Sequence, residues 1–219
     1  ETITAYREFQ AIWGTDDDLT PSPTIVGQGY NDMTHNFFSQ ELRLNGKLGD
    51  MVDFTVGAFL SDQKTTYLTR QDIRYIVPTV PPLFLQFLGD DPVKADSKAV
   101  FGTIIVKPSD AMTITGGLRY TDESKSYTFL RTTYDGTSTA LPFGVGALNG
   151  FTSTYEGNKL DWRISADYRF SPAALAYVTV GTGFKGGGVS ARPFNATQAQ
   201  QGSFGPETVT SYEVGLKTD

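Results

Sequence analysis

Leu160-Asp161-Trp162-Arg163-Ile164-Ser165-Ala166-Asp167-Tyr168-Arg169-Phe170 alternates without a break. Every even position is apolar or aromatic, and every odd position is charged or a hydroxyl. A period of two held over such a run makes a β-strand with two chemically opposite faces. The apolar face carries Trp162 toward one end and Tyr168 and Phe170 at the other, with smaller residues between. An apolar band rimmed by aromatics and backed by a polar face is the pattern of a strand that crosses a bilayer. A soluble β-sandwich shares the same period, so the rest of the chain has to decide.

The alternation recurs. Phe38–Asn45 sets Ser39, Glu41, Arg43 and Asn45 on its odd side. Val52–Ser61 places Val52, Phe54, Val56, Ala58 and Leu60 against Asp53, Thr55 and Gly57. Met112–Tyr120 has Met112, Ile114, Leu118 and Tyr120 on one side and Thr113, Thr115 and Arg119 on the other. Val100–Val106 and Ala174–Val180 follow with blurred second faces, and Ser211–Lys217 repeats the clean form. With Thr2–Phe9 the count is about eight strands. Met112 to Tyr120 matches the roughly 9–11 residues of a tilted membrane strand. Beyond Tyr120 the same face turns polar (Asp122, Ser124, Ser126), so this strand is expected to continue above an outer aromatic girdle.

The connections alternate in length. Gly46–Asp50, Lys107–Asp110 and Ser171-Pro172 are short, and their Gly, Pro, Ser and Asp content marks tight turns. Residues 11–35, 69–95, 132–154 and 187–206 are expected to be long loops. Four such loops would be anomalous in a compact soluble domain. An outer-membrane barrel has short periplasmic turns and long external loops. The fold class expected is therefore all-β: an antiparallel transmembrane β-barrel, or a segment of one, forming a single unit over residues 1–219.

Composition narrows the function. The 219 residues hold 24 Asp plus Glu against 18 Lys plus Arg, a net charge of −6. An acidic balance argues against a nucleic-acid partner. The absence of cysteine removes disulfides, thiolate catalysis and Cys-based zinc sites, and the single histidine, His35, leaves no His cluster for a metal. No stretch reaches the roughly 18 apolar residues of a membrane helix, which leaves a barrel open. No nucleophile–His–carboxylate set can be assembled, and the carboxylates are too scattered to nominate an acid–base pair. No enzyme activity, cofactor or metal is expected.

Three motifs compete for attention. Gly181-Thr182-Gly183-Phe184-Lys185-Gly186 fits GxGxxG after a strand, but Gly187-Gly188-Val189 and Pro193 follow where a helix should open. The glycines read better as a strand end entering a flexible loop. Asp16-Asp17-Asp18 and Asp90-Asp91 read as solvated acidic loops, with divalent bridging to lipopolysaccharide phosphates as the functional alternative. His35 falls at a loop–strand border, where a structural role is the commoner one.

Several segments resemble TonB-dependent outer-membrane receptors, especially a sphingomonad and caulobacter-like branch. Phe38-Ser39-Gln40-Glu41-Leu42-Arg43-Leu44, Phe54–Phe59 and Thr115–Glu123 are similar to barrel strands of that family. So are Gly183–Gly188 with Ala191-Arg192-Pro193-Phe194, and Pro206-Glu207 with Ser211–Lys217. Each match is weak, but five in the family's order are specific. The resemblance implies a 22-stranded barrel, of which this chain would be about eight strands, without plug, TonB box, signal peptide or terminal strand. It also implies import of a scarce small-molecule cargo, most often a ferric siderophore, energised by the TonB complex. Implied partners are the receptor's own plug domain, outer-membrane lipid and lipopolysaccharide; the implied location is the bacterial outer membrane.

Two sets of residues follow as expectations. Glu41, Arg43, Arg119, Glu123, Asp161, Arg163, Asp167, Arg169, Glu213 and Lys217 are expected to face the barrel lumen, because an arginine facing lipid would cost about 2–4 kcal/mol at midplane. Arg70, Arg74, Tyr75, Tyr134, Phe143 and Arg192 are candidate cargo contacts in the loops, guanidiniums for anionic groups and aromatics for catecholates or sugars. The alternative is a complete eight-stranded barrel with a structural or adhesion role. An outer-membrane hydrolase and a soluble β-sandwich binding module are more distant rivals.

Overall fold

Eight long antiparallel strands, each hydrogen-bonded to its sequence neighbour, make up the computed structural model, which describes residues 1–76, 81–193 and 195–218. They are β1 (Thr2–Asp16), β2 (Ile25–Leu48), β3 (Val52–Tyr75), β4 (Leu83–Ser109), β5 (Met112–Phe129), β7 (Phe151–Ser171), β8 (Ala174–Lys185) and β11 (Glu207–Thr218). The short β6 (Arg131–Thr132) pairs with β4, and β9 (Gly188–Val189) pairs with β10 (Ser203–Phe204). A 3₁₀ segment, Pro142–Leu148, and a five-residue helix α1, Ala196–Gln200, complete the chain. Among the described residues β1 and β11 each pair on one side only and not with each other, so the sheet stays open. That separates it from a closed eight-stranded barrel.

The register carries the alternation of single strands across the whole sheet. Val52, Val106, Ile114, Ala166, Val178 and Val214 lie in one transverse row. Phe54, Ile104, Gly116, Ile164, Val180 and Tyr212 form the next. Ala58, Val100, Tyr120 and Leu160 close the band at one rim, and Met112 with Tyr168 marks the other. Most of these large side chains are exposed. An apolar face of this breadth is stable only against hydrocarbon or another apolar surface.

Two of the segments expected as long loops, 11–35 and 69–95, are largely strand, whereas 132–154 and 187–206 lie mostly outside strands among the described residues. β1 and β2 run through most of 11–35, leaving only residues 17–24 between them, and β3 and β4 take up most of 69–95. β4 is 27 residues long, far more than a bilayer needs. The physical reason is that the strands continue above the membrane, where neither face meets lipid and the apolar–polar contrast fades. Arg70, Arg74 and Tyr75 therefore sit on β3 and not in a loop, and His35 stands inside β2, with its Nδ1 2.9 Å from Thr65 Oγ1 and its ring stacked on Phe9. Residues 77–80, part of the expected second loop, and Phe194 of the family-like stretch lie outside the described residues. The short turns are as expected, with register shifts beside Pro108 and Ser171 at the β4–β5 and β7–β8 ends.

Candidate functional site

The face opposite the apolar band is built from the odd positions. Arg43, Gly57, Phe101, Arg119 and Asp161 occupy one row; Asp53, Ile105, Thr115, Ser165, Thr179 and Glu213 occupy another. Glu41, Glu123, Arg163, Asp167 and Arg169 share this side by the same register. Arg119 is the most structured of the set. Its guanidinium carbon lies 5.5 Å from the Phe59 ring centre and 5.6 Å from that of Phe101, and its Nε donates to Thr121 Oγ1 at 3.2 Å. Gly57 makes this possible, because a Cβ there would overlap the Phe101 ring that crosses it. Arg43 is paired with Glu41. Among the described residues neither Arg119 nor Arg163 has a carboxylate within 4.0 Å.

Higher on the same face the polar wall closes into a buried cluster. Asp91 is 1 % exposed, Arg131 3 % and Tyr127 2 %. Arg131 Nη1 donates to Asp91 Oδ1 and also to the Leu130 carbonyl at 2.6 Å. Tyr127 donates its hydroxyl proton to Asp91 Oδ2 at 2.9 Å, and the Leu130 amide donates to Oδ1 at 3.0 Å. The guanidinium stacks 4.2 Å from the Phe129 ring centre and 5.2 Å from that of Phe87. Gly89 faces Arg131 across the β4–β6 pair, and a Cβ there would press on Nη1. Pro92 lies one residue beyond the last β4–β5 pair, Val93 with Tyr127, where its missing N–H breaks no β5 bond. Burial first, then the Asp91 charge and hydrogen bond, push the Tyr127 phenol up to about 12. Asp91 is thus a structural anchor and not a solvated loop carboxylate.

The connection from β8 to β11 folds back onto this wall. Lys125 Nζ donates to the Gly187 carbonyl at 2.7 Å, and Ser153 Oγ donates to the Gly202 carbonyl at 2.5 Å. Cβ atoms added at Gly186, Gly187 and Gly202 would overlap Glu123, Tyr155 and Ser153 respectively. The glycine run after Phe184 is therefore needed for close approach of backbone to barrel wall. It is neither a dinucleotide loop nor merely flexible. Glu123 Oε1 is buried beneath this strap without a hydrogen bond, 3.6 Å from Lys125 Nζ.

Of the six candidate cargo contacts, the structure brings three together. Arg74 grips Asp72 with Nε at 2.8 Å and Nη2 at 2.5 Å, and Gln86 donates to the same carboxylate at 2.9 Å. Burial raises the Asp72 carboxyl, but these bonds outweigh it and hold it below the usual carboxylate range. Tyr134 donates to the Gln71 carbonyl at 2.8 Å, within electrostatic reach of Arg70 and Arg74. By alternation Arg70, Asp72 and Arg74 continue the Leu60 face of β3, and Tyr75 the opposite face. Phe143, 71 % exposed with a positive φ of 59°, stands in the 3₁₀ segment. Arg192 lies apart, its backbone amide against the Tyr127 hydroxyl. The sequence marks Asp91 only as a solvated acidic residue and does not mark Lys125, Tyr127, Arg131 or Tyr155; the parity of Lys125, Tyr127 and Tyr155 with Glu123 and Asp161 is the one signal that points to them.

An open antiparallel sheet with one lipid-compatible face, aromatic rims and a polar, arginine-bearing reverse is the wall of a bacterial outer-membrane β-barrel. The chain belongs to the TonB dependent receptor-like β-barrel family, whose model matches residues 2–219. Its fold is similar to that of the ferric yersiniabactin uptake receptor FyuA from Yersinia pestis, with a TM-score of 0.72 and 19 % identity. The superposition covers all of this chain and 30 % of that receptor, so the sequence spans about a third of the length of that relative.

Proposed function

We propose that this chain is part of the barrel wall of a receptor that imports a scarce small molecule, a ferric siderophore, with energy from the TonB complex. The observation that carries the reading is the pairing of a lipid-facing apolar band with a reverse face on which Arg119 lies over aromatic rings and neither Arg119 nor Arg163 has a carboxylate partner among the described residues. Arg119 over Phe59 and Phe101, and Arg163 beside Gly117 and Gly181, present cations that an anionic chelate or a plug carboxylate would satisfy. Family membership and the fold likeness to a siderophore receptor support the same class. Glu41, Arg43, Arg119, Glu123, Asp161, Arg163, Asp167, Arg169 and Glu213 then line the lumen around a plug domain, while lipid and lipopolysaccharide cover the other side.

Tyr75, Phe143 and Arg192 are the proposed cargo contacts at the outer mouth, while Arg70, Arg74 and Tyr134 cluster on the outward side of β3. The test is uptake of radiolabelled ferric siderophores by cells carrying the full-length receptor, with and without a functional TonB. Uptake that depends on TonB and falls at least tenfold when Tyr75, Phe143 and Arg192 are replaced together by Ala supports the assignment. Unchanged uptake in that variant sinks the contact set; TonB-independent uptake sinks the energised mechanism.

A further inference from the structure

We infer that the upper edge of β7, from Thr152 to Leu160, is a docking site for an extended segment of an extracellular protein, which adds to the barrel wall as one more strand with a basic side chain opposite Glu156. This goes beyond cargo uptake and uses only the placement of the strands relative to the membrane.

β7 is laddered to β5 along its length, from Tyr168 with Met112 to Phe151 with Phe129. Its other edge is not. Pairing with β8 runs from Ser171 only as far as Arg163, opposite Gly181. There the Trp162 amide donates to Thr182 Oγ1 at 3.1 Å, and that hydroxyl donates to Asp161 Oδ1 at 3.2 Å, so a side chain stands in for the next rung. Above it β8 leaves the wall: Gly186 lies against Glu123 of β5 and Gly187 against Tyr155, both on the lumenal side. In an antiparallel strand alternate residues turn N–H and C=O to the same edge. Arg169 turns its amide to the β5 side, onto the Ala111 carbonyl, and Trp162 turns its own toward β8. Leu160, Asn158, Glu156, Thr154 and Thr152 share the parity of Trp162. Among the described residues none of these five has a backbone partner on that edge, and all five are exposed.

Unpaired edges are normally blunted by proline, a bulge or a covering segment. The upper edge of β4 has Pro92 and is covered at Leu88 and Gly89 by β6. The β7 edge holds no proline, and its register with β5 is unbroken. Its position selects the occupant. Leu160 stands with Tyr120 at the top of the apolar band, so the edge rises above the lipid toward the exterior. The inward tip of β8 and the strap cover the lumenal side and turn the edge away from a plug. A second copy cannot supply the strand, because strands tilted near 45° and related by a two-fold axis along the membrane normal cross instead of running side by side. What remains is a polypeptide segment arriving from outside. A sheet edge binds such a segment through its main chain and selects it through alternate side chains. Glu156 makes the selection. It has no ion-pair or hydrogen-bond partner among the described residues, and its row continues through Ser124 to Asp96 and Asp62. A lysine or arginine opposite Glu156 answers that acidic row.

The test uses the full-length receptor in detergent micelles and a labelled synthetic peptide of alternating threonine and valine around a central lysine. In the free receptor the amides of Thr152, Thr154, Glu156, Asn158 and Leu160 should exchange quickly, while those of Ser153, Tyr155 and Gly157, turned to β5, stay slow. The peptide should slow the first set at least tenfold. Asn158→Pro deletes an N–H that faces away from β5 and leaves that ladder intact. At about fivefold per lost bond it should weaken binding at least fivefold in fluorescence anisotropy. Glu156→Lys should pass the preference from the lysine-centred peptide to a glutamate-centred one. Slow exchange at the five amides in the free receptor overturns the inference, because another part of the receptor would then already occupy the edge. So does a peptide that gives no protection, wild-type affinity in Asn158→Pro, or a preference that Glu156→Lys does not reverse. Heat-modifiable mobility in gels confirms that each variant is a folded barrel. Cargo uptake is read separately, so its failure leaves the peptide result standing.

Discussion

Replacing Arg131 with Met leaves Asp91 as an ionised carboxylate at 1 % exposure with only the Tyr127 hydroxyl and the Leu130 amide to stabilise it. Removing one partner of a buried ion pair costs about 3–5 kcal/mol, because the other charge stays behind desolvated. The barrel ladders do not depend on this pair, so the loss should appear as local opening of the β5–β7 connection. At 1.36 kcal/mol per decade, amide exchange at Leu130, Arg131 and Gly150 should accelerate at least a hundredfold. Those amides are bonded to Asp91, Asn149 and the Phe129 carbonyl, so they report directly on the cluster. Hydrogen–deuterium exchange read by mass spectrometry on the micelle-bound full-length receptor resolves such a change. Adding Asp91→Asn to R131M removes the stranded charge while keeping an acceptor for Leu130, and should recover most of the protection. Exchange in R131M within threefold of wild type, or a double variant no slower than the single one, would refute the argument.

Other consequences are quicker to check. Tyr127 has its pKa raised to about 12, so the neutral phenol is favoured by the fold; that contribution is complete below the ordinary value near 10 and is lost as pH rises from 10 through 12. Protease nicking of the strap should therefore increase over that window in wild type, and Tyr127→Phe should flatten this added dependence. Gly187→Val drives a side chain into Tyr155 and the Phe204 carbonyl; it should detach the strap and raise cleavage after Lys185 severalfold, with the barrel's heat-modifiability unchanged. Gly57→Ala meets the Phe101 ring and the Leu42 carbonyl. It should destabilise the sheet by about 1–3 kcal/mol in denaturant titration, with partial recovery when Phe101 becomes Leu.

The membrane band was legible because lipid enforces contrast. Met112–Tyr120 and Leu160–Phe170 alternate cleanly since one face must be apolar and the other need not be, and the register joins them without a slip. Tyr30-Asn31-Asp32-Met33-Thr34 is equally a strand, yet polar on both sides, and no periodic signal distinguishes it from a loop. Its order comes from ladder hydrogen bonds to β1 and β3, which are invisible in side-chain pattern. The Asp91–Arg131 anchor joins residues forty positions apart through β6, and acidic Asp90-Asp91 alone reads as solvated. The strap glycines were visible as a motif, but the groups they approach, Glu123, Tyr155 and Ser153, lie on other strands.

The length of β3 sets how the cell exterior meets this molecule. Fifteen residues separate Leu60, at the top of the apolar band, from Tyr75 at the strand tip. At about 3.3 Å per residue and a tilt near 45°, the tip stands about 35 Å above the lipid. A rigid palisade of that height carries its turns beyond the inner sugars of the bacterial coat. Antibodies and phage fibres would then reach Asp135-Gly136 and the exposed Phe143 first, and a peptide tag spliced there would be displayed without touching the membrane band.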